Sequence, residues 1–395
     1  MLSRREFLAN GTLASLALSV PGLAFASNKD ERKRIILLIL RGGMDGLAAL
    51  PPYADRHYRS GRSKLALPPP NESGGVFDLD GFFGLHPSLA GLHNLFEAGE
   101  MVAVAGTAPP YNGRSHFDAQ SVLESGALEP HTLRDGWLYR AIETIGDSNE
   151  FEHLAMAFGQ SVPLVLRGEK SVSSWAPDKF PEPNDDTMAR VLDLYNADEV
   201  LGPRLRLMMA TESMLGDEQG ERSIRRSALG QLAESATSFL THAKGPQFAV
   251  LESGGWDTHA NQGTGAGSLA NRLTALDKVL VKLKSDLGPV WNHTVVLVVT
   301  EFGRTVAMNG TRGTDHGVGG AAFLLGGAVK GGRVISDWPG LGPDQLLDGR
   351  DLRATIDQRS IFKAVLGEHL GIPAELLDET IFPNSGNVAP LNAIV

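Results

Sequence analysis

The 395-residue chain contains no cysteine. That absence removes disulfides, thiolate nucleophiles and sulfur-ligated metal, so a large apolar core must hold the fold together. Positive charge is not in excess either: 46 acidic against 36 basic residues leave a net charge of −10. Such a balance excludes nucleic acid and anionic membrane as main partners. Long apolar runs are missing too. The best candidate, Leu13 to Phe25, follows Gly11, is broken at Pro21 and Gly22, and falls short of the ~20 residues that span hydrocarbon. No stable membrane insertion of the mature chain is expected.

What the first residues do contain is a targeting pattern. Ser3-Arg4-Arg5-Glu6-Phe7-Leu8 sets an arginine pair before that broken apolar stretch, and Ala24-Phe25-Ala26 supplies a small-x-small cleavage site. Residues 1–26 therefore read as a twin-arginine signal peptide, and the destination as periplasmic or secreted. Losing Arg4, Arg5 and Glu6 with it would move the net charge to about −11. Twin-arginine export carries folded proteins, often with a cofactor loaded, a first pointer to a tightly held metal. Residues 27–395 read as a single α/β domain, with an insertion or cap at about 127–210.

Short apolar runs alternate with helical periodicity along that domain. Arg34 to Leu40 reads as a strand buried on both faces, Met101 to Gly106 as a second, and Phe248 to Leu251 as a third. Thr294 to Thr300 and Ala321 to Leu325 complete the set. Leu85 to Gly99, a segment opening near Ser115, Glu221 to Ala243, Ser268 to Leu287 and Arg359 to Leu370 read as helices. Leu269, Leu273, Leu276, Leu280 and Leu283 give Ser268 to Leu287 an apolar stripe. The alternation implies an α/β fold with a mostly parallel central sheet and helices on both faces.

In such sheets ligands bind beyond the carboxyl ends of the strands, and polar residues gather there. The first strand runs into Arg41-Gly42-Gly43-Met44-Asp45-Gly46. The second leads to Arg114-Ser115-His116-Phe117-Asp118, the third to Gly255-Trp256-Asp257-Thr258-His259. Thr300-Glu301-Phe302-Gly303-Arg304-Thr305 and Asp315-His316-Gly317 follow. Five loops thus direct Asp45, His116, Asp257, His259, Glu301, Asp315 and His316 towards one edge as candidate metal ligands. Oxygen and imidazole donors without sulfur suit Zn, Mn, Ca or Mg, as one ion or two. Each residue alone has a plainer use. Asp45 after two glycines is equally a turn residue or helix cap, and Asp315 equally an orienter of His316. Glu301, ending an apolar strand, sits where an unpaired acid would be costly. Arg41, Arg114 and Arg304 are either partners for these acids or clamps for an anionic substrate. Ser115 opens a helix, where free backbone N–H groups favour an anion.

These five motifs together, Arg114 to Gln120 included, resemble those of the DUF1501 family over nearly the whole mature chain. That family has no established general activity; it is grouped with the alkaline phosphatase superfamily, which includes sulfatases, phosphodiesterases and cofactor-independent phosphoglycerate mutases. The resemblance implies an alkaline phosphatase-like fold. It puts Ser115 or His116 at the nucleophile position, Asp45 after the first strand, and Asp257, His259, Glu301 and His316 among the ligands. The superfamily's Asp-His after the late strand is here Glu301-Phe302, implying one metal instead of two, or His116 in place of a missing ligand. A formylglycine sulfatase is excluded, because no Cys/Ser-x-Pro-x-Arg stands at the helix start. The expected activity is metal-dependent hydrolysis of a small-molecule or polymer-borne phosphate or sulfate ester, with Ser115 or a water as nucleophile and an arginine stabilising developing charge. The alternatives are a metal-retaining binding protein for a partner chain or polysaccharide, and a phosphomutase or phosphotransferase. Oligomeric state is not legible.

Overall fold

The run Ile35-Ile36-Leu37-Leu38-Ile39-Leu40 offers no polar position, and it forms the central strand of a nine-stranded sheet. The computed structural model describes residues 31–145, 151–177, 198, 202–204 and 228–395. The expected signal peptide lies outside the described residues, as does much of 178–227. Lys33–Val395 form one unit.

The strands are β1 (Arg34–Leu40), β2 (Met101–Ala108), β3 (Ala155–Phe158), β4 (Ser173–Trp175), β5 (Phe248–Ser253), β6 (Thr294–Thr300), β7 (Gly320–Leu325), β8 (Arg333–Ile335) and β9 (Ile356–Asp357). Their order across the sheet is β8-β2-β7-β6-β1-β5-β3-β4, with β9 also paired to β2. All pairings are parallel except those of β7, which lies antiparallel between β2 and β6. The sheet is therefore mixed and mostly parallel. β1 shows why its sequence has no alternation. Ile36, Leu38 and Leu40 enter the core on one face, while Ile35, Leu37 and Ile39 enter the core on the other.

Helices α1 (Ala90–Glu97), α2 (His116–Ser125), α3 (Trp137–Ile145), α4 (Ala228–Thr241), α5 (Ser268–Leu287) and α6 (Gln358–Ala364) cover both faces. Leu92, Phe239 and all five stripe leucines of α5 fill the first core; Ile142, Ile361 and Phe362 fill the second. Two expectations change. Within 127–210, read as an insertion or cap, Ala155–Phe158 and Ser173–Trp175 extend the main sheet beside β5. The late helix stops at Ala364 and continues as a wider π turn, Val365–His369, rather than as α-helix to Leu370.

Candidate metal centre

Loops at the carboxyl ends of β1, β5 and β6 meet because glycine lets them. Gly42 has φ +118°, and a Cβ on it would stand 2.6 Å from the backbone N of Asp257. Gly43, at φ +66°, would place a Cβ in the ring of Phe302. No residue with a side chain could bring β1's exit so close to the Asp257 loop. Phe302, buried, then packs beside the imidazoles of His116 and His316, with centroids 4.7 and 5.0 Å away.

Three ligand atoms, from His116, Asp257 and His316, lie within 4.8 Å of one another. Nε2 of His116 is 3.5 Å from Asp257 Oδ2, and Nε2 of His316 is 3.3 Å from Asp257 Oδ1. His259 adds a fourth donor, its Nε2 3.0 Å from both Asp257 Oδ1 and His316 Nε2. Each imidazole is held from behind through Nδ1. His116 Nδ1 donates to Glu301 Oε1 at 2.8 Å, His259 Nδ1 to Asp315 Oδ1 at 3.2 Å, and His316 Nδ1 to the Arg114 carbonyl at 2.9 Å. These acceptors fix the tautomers, because a carbonyl or carboxylate oxygen can only accept. In the neutral rings, three Nε2 lone pairs then face one carboxylate.

That arrangement could hold a cation. His116 Nε2 is buried without any hydrogen-bond partner. A proton between the Nε2 atoms of His259 and His316 would relieve that pair but leave His116 unmet. One ion among the three nitrogens and Asp257 would satisfy all four, and carboxylate–histidine–metal relays are the usual support for such ligands. The electrostatics agree. Burial works against ionised Asp257, yet Arg304, with help from His259 and His116, holds its carboxyl below the ordinary range. Burial likewise opposes charge on Glu301, and the hydrogen bonds from His116, Gln120 and Gly42 more than offset it, leaving its pKa lowered. The bond to Glu301 raises the pKa of His116 against its own burial, while burial lowers that of His316.

The expected site residues divide into three groups. His116, Asp257, His259 and His316 converge. Glu301 and Asp315, expected as ligands, stand behind the imidazoles instead: Glu301 Oε1 takes Gly42 N, His116 Nδ1 and Gln120 Nε2, and its Oε2 takes the Thr300 hydroxyl at 3.1 Å. The third group serves the scaffold. Asp45 is fully buried; its Oδ2 is bound by Arg62 and by Gln262 Nε2 at 2.6 Å, and its Oδ1 caps the turn Gly46–Ala49. Both oxygens of Asp45 are thus engaged within the protein. Ser115 is the N-cap of α2, its Oγ accepting from Asp118 N at 3.5 Å. Arg114 turns away to Asp348 and Asp351, and Arg41 to Glu124 and Glu252. Arg304, buried, ties the carbonyls of Gly42, Gly43 and Thr314 to Asp257. It fixes the Asp257 carboxylate rather than awaiting an anion.

Sequence reasoning gave no role to Gln120 or Asn309. Gln120 braces Glu301 at 3.1 Å, and its place four residues after His116, on the same side of α2, was the available signal. Asn309 donates to Asp315 Oδ1 at 3.0 Å from a loop with no local mark of that role.

The chain is thus an α/β protein with a histidine-rich candidate metal centre at the carboxyl edge of its sheet. The family model described as "Protein of unknown function (DUF1501)" matches residues 112–381, and the chain belongs to that family. No curated protein matches it. Solved structures with a similar fold include Ps i-CgsB in complex with k-i-k-neocarrahexaose, at 11% identity and TM-score 0.42, covering 91% of this chain and 77% of that one. The PsFucS1 sulfatase from Pseudoalteromonas sp. is 13% identical, with TM-score 0.35 and coverage of 85% and 68%. The phosphonate monoester hydrolase of Agrobacterium radiobacter is 10% identical, with TM-score 0.35 and coverage of 77% and 70%. Likeness at this level leaves the reaction to the side chains themselves. No helix among the described residues is long and apolar enough to cross a membrane.

Proposed function

We propose that this protein is an exported hydrolase of phosphate or sulfate esters that works with one divalent ion. The observation that carries the reading is the unpartnered, buried Nε2 of His116, facing Asp257 and the Nε2 of His316. Three imidazoles and one carboxylate suit Zn or Mn better than Ca or Mg, which prefer oxygen. Asp45, the obvious donor to a second ion, is bound by Arg62 and Gln262. Bound here, the ion would supply Lewis acidity to an ester oxygen and lower the pKa of a water. The protein's part is to hold the donors. Glu301, Asp315 and the Arg114 carbonyl accept from the Nδ1 atoms and so aim each Nε2 at the cluster, and Arg304 keeps Asp257 charged. Because Ser115 Oγ caps α2, water is favoured over Ser115 as the nucleophile. The phosphate or sulfate class rests on the resemblance of the five motifs to the alkaline phosphatase superfamily, and export on Arg4-Arg5 and the Ala24-Phe25-Ala26 site.

Protein purified without chelator should contain close to one equivalent of Zn or Mn. It should also turn over at least one member of a panel of chromogenic phosphate monoesters, phosphodiesters and sulfates. A metal-free protein whose melting temperature no divalent ion raises would remove the centre; a loaded protein inert across the panel would leave a binding protein. Replacing Arg4 and Arg5 by Lys should hold the precursor in the cytoplasm, and unchanged periplasmic yield would refute the export route.

A further inference from the structure

Beside the histidine cluster lies a cleft of about 610 Å³, within the range of about 300–1,000 Å³ typical of small-molecule sites. Its wall is one face of α2. Phe117, Gln120 and Glu124, at i, i+3 and i+7, all line it. Arg41 and Glu252, at the ends of β1 and β5, and Arg167 line it as well. The cleft and the metal centre share structure. His116 precedes Phe117, and Gln120 holds the carboxylate that holds His116.

Phe117 is 82% exposed, more than any other large hydrophobic side chain among the described residues. Burying a phenylalanine is favourable, and nothing in the fold of α2 collects that gain. The ring instead offers a flat apolar surface over the cleft. The polar groups around it are mixed and partly unengaged. Glu252 accepts from Arg41 through Oε1 only, leaving Oε2 open, and Gln120 donates from Nε2 to Glu301, leaving Oε1 open. Arg167 is held through Nε alone, by the Val162 carbonyl at 2.7 Å. Formal charge cancels, Arg41 and Arg167 against Glu124 and Glu252, so the cleft is not an anion trap. Open acceptors, an open donor and an exposed ring together match a neutral polyhydroxylated ring, whose C–H face is apolar and whose edges both donate and accept hydrogen bonds.

We propose that this cleft binds a sugar ring, and that the ester offered to the histidine cluster is carried by a carbohydrate. The second half rests on the hydrolase reading; the first half does not. The test applies the full chain to a glycan array displaying neutral, sulfated and phosphorylated mono- and oligosaccharides. Phe117→Ala and Glu252→Gln variants and chelator-treated wild type are applied alongside. Wild type should retain at least one glycan, each variant should lose retention at least tenfold with melting temperature and metal content unchanged, and chelator treatment should leave retention of the neutral glycan in place. If wild type retains nothing, or Phe117→Ala binds as wild type does, the cleft is not a sugar site. Phe117-dependent retention by a protein inert on the ester panel upholds the cleft and removes only the hydrolase reading.

Discussion

The two edges of the sheet treat histidine in opposite ways. At the amino edge, His369 is buried in the π turn, 3.1 Å from the carbonyl of Arg34, and Arg34 in turn donates to the Leu240 carbonyl at 3.0 Å. There the ring and guanidinium are tied to backbone. At the carboxyl edge, His116 is hydrogen-bonded through one nitrogen only, and its buried Nε2, 3.5 Å from Asp257 Oδ2, has no hydrogen-bond partner. One buried histidine is satisfied and the other keeps an open nitrogen beside a carboxylate, and an open buried polar group is costly unless something meets it.

Removing a donor from the open edge should have the largest effect. Asp257→Ala deletes the only carboxylate of the cluster and is expected to lower metal affinity more than ~100-fold, beyond the usual cost of losing a supporting group. Full metal content in that variant, measured on dialysed protein, would contradict the cluster as the centre. Next comes the closed edge. Burial lowers the pKa of His369 from 6.5 to about 4. The unfolded chain therefore takes up a proton near pH 6.5 that the folded chain refuses until about pH 4. The stabilisation is complete above pH 6.5 and is lost as pH falls towards 4, in total about 3 kcal/mol. His369→Gln should flatten that part of a stability-versus-pH curve, whatever it does to stability at neutral pH. An unchanged slope between pH 6.5 and 4 would refute the assignment.

A smaller effect is expected from Glu301→Gln, which keeps the shape behind His116 but weakens its acceptor. Metal affinity should fall about 10–100-fold, and a variant that binds metal like wild type would show that Glu301 does not set the His116 tautomer. The smallest effect separates capping from catalysis. Ser115→Ala should cost about 1 kcal/mol as an N-cap and leave turnover per folded molecule nearly intact. Loss of turnover with metal retained would restore Ser115 as the nucleophile.

The same contrast shows what the sequence discloses. α5 and β6 have the bounds expected for them, Ser268–Leu287 and Thr294–Thr300, because a leucine stripe and an unbroken apolar run admit one reading each. The antiparallel setting of β7 left no mark, since a strand buried on both faces reads alike in either direction. His116, Asp257, His259 and His316 could be collected from strand-end loops. Their division from Glu301 and Asp315 could not, because it depends on which ring nitrogen each carboxylate meets. The surroundings of Asp45 were hidden for a related reason: the groups that bind it come from Arg62 and from Gln262, 217 positions away, and no local pattern announces such a partner.

The glycine crossing of Gly42 over the Asp257 backbone has a consequence in time. His116, Asp257 and His316 share no local segment and meet only after β1 has paired with β5 and β6. No partly folded chain offers the ion more than one or two of its donors. Metal uptake at this cluster would therefore come late, as a seal on a finished sheet. A chain exported already folded would carry its ion with it rather than look for one at its destination.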